Sequence, residues 1–163
     1  MSRLDSFIRR VCAQRDCLNM AKELIADLPG PVLELGLGNG RTYDHLRELF
    51  PDREIFVFDR RVAAHPDCIP DETHMIVGDI IETLISAGDR IGGMAALAHC
   101  DIGTGEKENN AKLIATIAPL VDELMRPGGI VCSDQEYSVD GWVAQPLPLG
   151  VQSGRYFINR IER

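Results

Sequence analysis

The chain has 163 residues, of which 45% are hydrophobic and 26% are charged, a balance typical of a globular protein with one core. This length leaves no room for a large second domain, and no apolar stretch reaches the ~20 residues that a membrane-spanning helix needs. The formal net charge of −8 argues against sequence-independent binding of DNA or RNA, which relies on clustered Lys and Arg. We therefore expect neither a nucleic-acid partner nor a membrane partner.

The cysteines are scattered, odd in number and without a C-x-x-C pair: Cys12, Cys17, Cys68, Cys100 and Cys132. This pattern favours reduced thiols over a disulfide framework or a zinc site. The N-terminus carries charges where a signal peptide would be apolar. Together these features predict a cytoplasmic protein.

Apolar residues recur three and four positions apart from residue 3 to about residue 27 and predict an N-terminal helix. Asp16 and Asn19 mark a point at which this helix could break in two. The run Pro29-Gly30-Pro31 ends it before the first strand.

A glycine-rich turn follows the first predicted strand, residues 31–36, and precedes a helix from 41 to about 49. The turn reads Glu34-x-Gly36-x-Gly38-x-Gly40. Its glycines permit unusual backbone dihedrals and let a ligand lie against the main chain. The following helix start offers free N–H groups to an anion. Strand, turn and helix in this order are typical of a nucleotide-type site in an open α/β sheet.

Strands and helices alternate along the rest of the chain. Further strands are predicted at 54–59, 73–79, 94–101, 130–134 and 155–161, with helices at 80–87 and 106–125. A loop or short helix is predicted at 65–71, a kink at Pro119 and a turn at 126–129. The fold class is therefore α/β, a doubly wound, mostly parallel, Rossmann-like sheet of about seven strands with helices on both faces.

The glycine spacing departs from the dinucleotide fingerprint G-x-G-x-x-G, and Arg41 stands where its third glycine would be. A carboxylate two residues before the first glycine would repel a pyrophosphate but suits a ligand with a cation. The turn Glu34-x-Gly36-x-Gly38-x-Gly40 resembles the first motif of class I S-adenosylmethionine-dependent methyltransferases. Further motifs follow in that family's order: Asp59, Gly78-Asp79 and Arg126-Pro127-Gly128-Gly129 before a strand.

The resemblance covers residues 30 to 161 and implies one domain over 1–163. Residues 1–28 would form a helical lid or dimer element, and residues 30–161 the cofactor-binding α/β core, closed by an antiparallel terminal hairpin. In the family a helix ahead of the sheet commonly covers the substrate cleft. Phe7, Arg10 or Gln14 could therefore reach the site.

The implied cofactor is S-adenosyl-L-methionine, and its predicted binding residues are Glu34, Gly36, Gly38, Gly40, Arg41, Thr42, Asp59, Arg60, Gly78, Asp79, Ile80 and Asp101. Glu34 would lie near the methionyl ammonium, directly or through water, and the helix start at Arg41 and Thr42 would receive the carboxylate. Asp59 follows the turn by about 20 residues, a spacing at which a carboxylate accepts both ribose hydroxyls. Asp79 would contact the adenine, although an N-cap of the next helix is an equally simple role for it.

Candidates for a general base are His99, Asp101 and Asp134. Asp101, Asp134 and Gln135 also resemble, faintly, the divalent-metal site of catechol-type O-methyltransferases, and oxygen ligands suit magnesium. The lysine that those enzymes carry after the fourth-strand acid has no counterpart in Ile102-Gly103. No metal is therefore predicted.

The sequence thus predicts an S-adenosylmethionine-dependent methyltransferase that acts on a small molecule, and a homodimer is one assembly that residues 1–28 could form. The alternatives are a NAD-binding Rossmann oxidoreductase module, whose ribose acid shares the spacing of Asp59, and a non-catalytic binding protein with the methyltransferase fold.

Overall fold

The computed structural model describes residues 2–103 and 106–163, in which helices and strands alternate as predicted. The helices are α1 Arg3–Leu24, α2 Arg41–Leu49, α3 Ile80–Ile91 and α4 Lys107–Leu124. The strands are β1 Val32–Leu35, β2 Ile55–Asp59, β3 Met75–Val77, β4 Ala95–Cys100, β5 Met125–Ser133, β6 Trp142–Ala144 and β7 Phe157–Ile161. One turn of 3₁₀ helix, Pro66–Cys68, stands where a loop or short helix was expected.

The strands form one sheet in the order β3-β2-β1-β4-β5-β7-β6. The strands from β3 to β5 are parallel, whereas β7 runs antiparallel to β5 and β6 antiparallel to β7. The predicted doubly wound, seven-stranded α/β fold is confirmed, including the antiparallel terminal pair. The chain leaves β1 toward β2 and returns to pair β4 with β1, so the winding direction reverses between those strands. Ligands bind at the carboxyl ends of the strands beside such a point.

Helices cover both faces of the sheet and bury two apolar clusters. One cluster contains residues of α3 and α4, and the other contains residues of α1 and α2. Every residue of β1 and of β4 is buried. This explains why both strands are almost continuously apolar in sequence. The polar exceptions, Glu34 in β1 and His99 in β4, therefore need partners within the core.

The helix α1 is continuous, so the predicted break at Asp16 and Asn19 is wrong. Its first turn is capped by Ser2, whose hydroxyl accepts the backbone N–H of Asp5 at 3.0 Å. Its apolar face then packs on the sheet along the length of the helix through Ala13, Cys17, Leu18 and Ala21. This burial outweighs the modest helix propensities of the two polar residues.

The strand β5 begins five residues earlier than predicted, at Met125, and contains the segment Arg126–Gly129 that was expected to form a turn. That prediction is wrong because the pairing with β4 shifts register between Ala95 and Leu97, which accommodates the extra residues as an irregularity within the strand. Gly128 adopts φ +82° there, a conformation that favours glycine. The helix α4 runs on through Pro119. No helix in the described part of the chain is long and apolar enough to cross a bilayer.

Candidate functional site

A cavity of about 330 Å³ lies at the carboxyl ends of β1 and β4, beneath the first half of α1. Five of the predicted cofactor residues line it: Gly36, Gly38, Arg41, Thr42 and Asp101. Three side chains of α1 line it as well, Phe7, Arg10 and Gln14, so the expectation that they reach the site is confirmed. The cavity is also lined by Val11, Arg15, Leu18, Leu37, Asn39 and His45, which sequence reasoning did not single out. Helical spacing could have identified Val11, Arg15 and Leu18, because positions 11, 15 and 18 continue the helix face formed by positions 7, 10 and 14.

The three glycines of the turn after β1 all have positive φ, at +97° for Gly36, +52° for Gly38 and +86° for Gly40. A Cβ on Gly36 would lie 2.7 Å from the carbonyl oxygen of Asp101, and one on Gly40 would lie 2.5 Å from Cβ of Cys68. Those two glycines are therefore required by close packing of the chain. Around Gly38, in contrast, no heavy atom of the other described residues, its two chain neighbours aside, lies within 4 Å of the Cβ position. The open space at Gly38 is where a ligand can approach the backbone, and it faces the cavity.

Asp59 holds the glycine turn from the end of the neighbouring strand β2. Its Oδ2 accepts the backbone N–H groups of Leu37 at 2.8 Å and Gly38 at 3.1 Å, and its Oδ1 accepts that of Arg61 at 3.2 Å. A carboxylate offers about four acceptor sites, so after these three N–H groups one site is left for a ribose hydroxyl. The ribose role of Asp59 remains a prediction, as does the place of the exposed Arg60 beside an adenine.

Asp79 caps the helix α3, since its side chain accepts the backbone N–H groups of Ile81 at 2.9 Å and Glu82 at 3.4 Å. Gly78, Asp79 and Ile80 do not line the cavity but follow β3 at the same edge of the sheet, with β2 between. Their adenine contacts remain predictions. This placement fits an elongated ligand that extends along the strand ends from the cavity toward β3.

Glu34 belongs to a buried chain of four polar side chains. Its Oε1 accepts the hydroxyl of Thr42, and its Oε2 lies 2.5 Å from Nδ1 of His99. On the other side of the ring, Nε2 of His99 is hydrogen-bonded to the hydroxyl of Tyr156. Glu34, His99 and Tyr156 are each no more than 1% exposed. Glu34 and His99 meet because the β1–β4 register places them opposite each other.

These hydrogen bonds hold Glu34 and His99 within the core, away from the positions that their predicted roles imply. Neither lines the cavity, and Thr42 alone connects them to it. Burial disfavours a charged ring in His99, but the adjacent Glu34 carboxylate outweighs it and raises the pKa of His99 above its ordinary value. Tyr156 carried no signal in the sequence, because its contact with His99 depends on the strand order.

Asp101 follows β4 and faces the cavity, where it receives two hydrogen bonds from α1. Its Oδ2 accepts Nη2 of Arg10 at 2.8 Å and Nε2 of Gln14 at 2.5 Å. Asp134 follows β5 and is next to it. Burial and the Asp101 carboxylate raise the pKa of Asp134 to about 6, against a hydrogen bond from Gln135 that lowers it. The two acids thus have different hydrogen-bond partners.

Binding of a metal by Asp101, Asp134 and Gln135 would require that their side-chain oxygen atoms be free to act as ligands. In the ranges that the structure describes, no three His, Cys, Asp or Glu side chains converge. The Asp101 carboxylate is occupied by Arg10 and Gln14, and the Gln135 amide donates to Oδ2 of Asp134 at 3.2 Å. The residues present form a hydrogen-bonded acid pair there.

Comparison with known proteins decides the family. A family model described as S-adenosyl-L-methionine methyltransferase matches residues 1–161. The chain belongs to this methyltransferase family. A crystal structure of an S-adenosyl-L-methionine methyl transferase from Silicibacter pomeroyi DSS-3 is 46% identical over 99% of both chains, with a TM-score of 0.93. No curated protein sequence matches the chain.

More distant structures share the methyltransferase fold alone. The MycE methyltransferase of the mycinamycin pathway, solved with Mg, SAH and mycinamycin VI, gives a TM-score of 0.59 at 18% identity, over 91% of this chain and 47% of its own. A 16S rRNA (adenine(1408)-N(1))-methyltransferase from Catenulisporales acidiphilia gives 0.51 at 14%, over 88% and 89%. The protein is thus an S-adenosyl-L-methionine-dependent methyltransferase, and the NAD oxidoreductase alternative is excluded.

The methyltransferase depends on the Tyr156 hydroxyl to satisfy the buried ring of His99. Replacing Tyr156 with Phe leaves Nε2 of His99 without a partner in the core, and we expect a loss of about 1–3 kcal/mol in the free energy of unfolding, measured in urea. The matched control is Tyr137→Phe, because the buried Tyr137 hydroxyl lies beside the weak donor Cys100 and forms no regular hydrogen bond within the described residues. Equal losses in both variants would contradict the role of Tyr156.

The raised pKa of Asp134 predicts a cost to folding that depends on pH. The native state holds the proton up to a pH of about 6, while the unfolded chain releases it near 3.8, so stability falls as pH rises through this window. Asp134→Asn removes this pH-dependent loss of stability, because an amide does not ionise. We expect the variant to gain stability relative to the wild-type protein, by at most about 3 kcal/mol between pH 4 and pH 7.

The measurement is urea unfolding at several pH values. The control Glu136→Gln changes an exposed carboxylate two positions away and should keep the wild-type pH dependence. A stability difference between Asp134→Asn and wild type that does not change with pH would contradict the raised pKa.

Proposed function

We propose that this methyltransferase methylates a small molecule bound in the cavity beneath α1. The observation that carries the proposal is the closure of the cavity by α1, whose Arg10 and Gln14 both donate to Asp101. The cavity of about 330 Å³ also has to admit the methionyl end of the cofactor, so the space left beneath α1 suits a small acceptor better than a polynucleotide. The net charge of −8 supports the same choice, since nucleic-acid binding relies on cationic surfaces.

The residues along the strand ends fit S-adenosylmethionine. Gly38 leaves its backbone open for a ligand, and the Asp59 carboxylate has an acceptor site left for a ribose hydroxyl. The start of α2 offers backbone N–H groups to an anion, and among them that of Arg41 is donated to Oδ1 of Asn39 at 3.2 Å. Gly36, Arg41 and Thr42 complete the methionyl end of the site; Arg60, Gly78, Asp79 and Ile80 form its adenine end. When bound, the cofactor supplies a methyl group on a positively charged sulfur that needs no further activation.

The acid pair supplies the protein's own chemistry. Asp101 faces the cavity and accepts the proton that the nucleophilic atom of the acceptor releases. Asp134, whose pKa is raised to about 6, shares that proton, so that the acid pair takes up and releases it at a pH close to neutral. His99 is buried with both ring nitrogens bonded, so we assign it a positioning role through Glu34 and Thr42 instead of direct proton transfer.

We assign α1 the role of a lid, because positioning of the acceptor and exclusion of water supply much of the rate of a methyl transfer. The same end of α1 exposes Leu4 and Ile8, at 66% and 47%. The homodimer prediction rests on this exposed apolar end.

The proposal predicts a rate that rises with pH through a value of about 6, as Asp134 ionises. We expect Asp134→Asn to abolish this acid limb, because it removes the titrating partner of Asp101. We expect Asp101→Asn to lower kcat by about 100-fold or more, since general-base catalysis contributes at least that much. Glu136→Gln is the control and should leave both unchanged. The measurement is formation of S-adenosylhomocysteine with a panel of phenols, amines, thiols and carboxylic acids, and with RNA oligonucleotides. Preference for RNA would contradict the proposed acceptor class, and an unchanged pH profile in Asp134→Asn would contradict the acid pair.

A further inference from the structure

The cavity beneath α1 is rich in cationic side chains although the protein as a whole is acidic. Three arginines line it, Arg10, Arg15 and Arg41, against one carboxylate, Asp101. We propose that the acceptor carries an anionic group, a carboxylate or phosphate, attached to an apolar body. This inference rests on the proposed small-molecule function and specifies the class of the acceptor.

Arg41 is the clearest free cation of the cavity. Its guanidinium carbon lies 5.7 Å from the ring centroid of Phe7, and both residues line the cavity. Among residues 2–103 and 106–163, no carboxylate forms a salt bridge with Arg41. The Phe7 ring thus holds the guanidinium between α1 and α2 without neutralising it. A planar guanidinium with free N–H donors binds carboxylate and phosphate groups bidentately.

Arg15 and Arg10 are only partly occupied. Arg15 donates from Nε to Asp16 at 2.8 Å, and Asp16 itself does not line the cavity, so the terminal nitrogens of Arg15 remain donors for a ligand. Arg10 donates from Nη2 to Asp101. The side chains of Arg10 and Arg15 are each 58% exposed, so solvent reaches them and an entering anion can as well.

The cofactor accounts for only one anion. S-adenosylmethionine has a single carboxylate, whereas its ammonium and sulfonium are cations, which the arginines repel. After that carboxylate is bound at the start of α2, the lining still holds arginine donors for a second anion. The remaining wall is apolar, from Val11, Leu18 and Leu37, which suits the body of an aromatic or aliphatic acid.

The test is binding of benzoate to the full protein saturated with S-adenosylhomocysteine, followed by NMR. Benzamide has almost the same shape without the charge and serves as the matched probe. We expect benzoate to bind at least ten times more tightly than benzamide. Arg15→Gln and Arg41→Gln should each weaken benzoate by about tenfold, whereas Arg9→Gln, on the same helix but facing a different groove, should not. Inorganic phosphate in a parallel titration shows whether the site prefers the carboxylate or the phosphate.

Displacement of the bound S-adenosylhomocysteine by benzoate would overturn the inference, because the anion would then occupy the cofactor's own carboxylate site. Equal binding of benzoate and benzamide would overturn it too. Calorimetric binding of S-adenosylhomocysteine to Arg15→Gln shows that the variant is folded and its cofactor site intact. In the acceptor panel, a preferred neutral small molecule overturns this inference and leaves the proposed function standing, while a preferred RNA overturns the proposed function itself.

Discussion

The contact between Glu34 and His99 is the interaction on which the site depends. Two ionisable side chains meet at 2.5 Å in a core where neither is exposed, on the two strands that flank the reversal of the sheet. A carboxylate buried alone is too costly to persist, and breaking a buried pair by removal of one partner typically costs about 3–5 kcal/mol. The pair therefore stabilises the register of β1 against β4, and with it the relative positions of the glycine turn and Asp101.

Two further hydrogen bonds extend this constraint on the strand positions to both sides of the Glu34–His99 pair. Thr42 places the start of α2 on one side, and Tyr156 places the segment before β7 on the other. The acid of the E-x-G-x-G-x-G turn is thus buried beneath the site, while Asp59 at the end of β2 holds the glycine turn and Asp101 after β4 faces the cavity. Of these three acids Asp101 alone lines the cavity, where three arginines are also found. The cavity is therefore cationic although the chain has a net charge of −8.

The fold was predictable because its signals are local. Continuous apolar runs identify strands buried on both faces, acids mark their carboxyl ends, and the glycine spacing fixes the first crossover. The reach of Arg10 and Gln14 to the site was predictable from one helix face. The partners of Glu34 and Asp101 were not, since they come from β4 and α1, 65 and 87 residues away in sequence. The irregularity at Gly128 was missed for a similar reason, because Arg-Pro-Gly-Gly has the composition of a turn and only pairing with β4 makes it a strand.

The most direct measurement is the NMR titration of the His99 ring. If the buried carboxylate of Glu34 governs this part of the core, the pKa of His99 lies above 6.5, and it falls in Glu34→Gln, where Asp101 and Asp134 alone oppose the effect of burial. A ring that titrates at or below 6.5 in the wild-type protein, or whose pKa is the same in Glu34→Gln, would contradict the account.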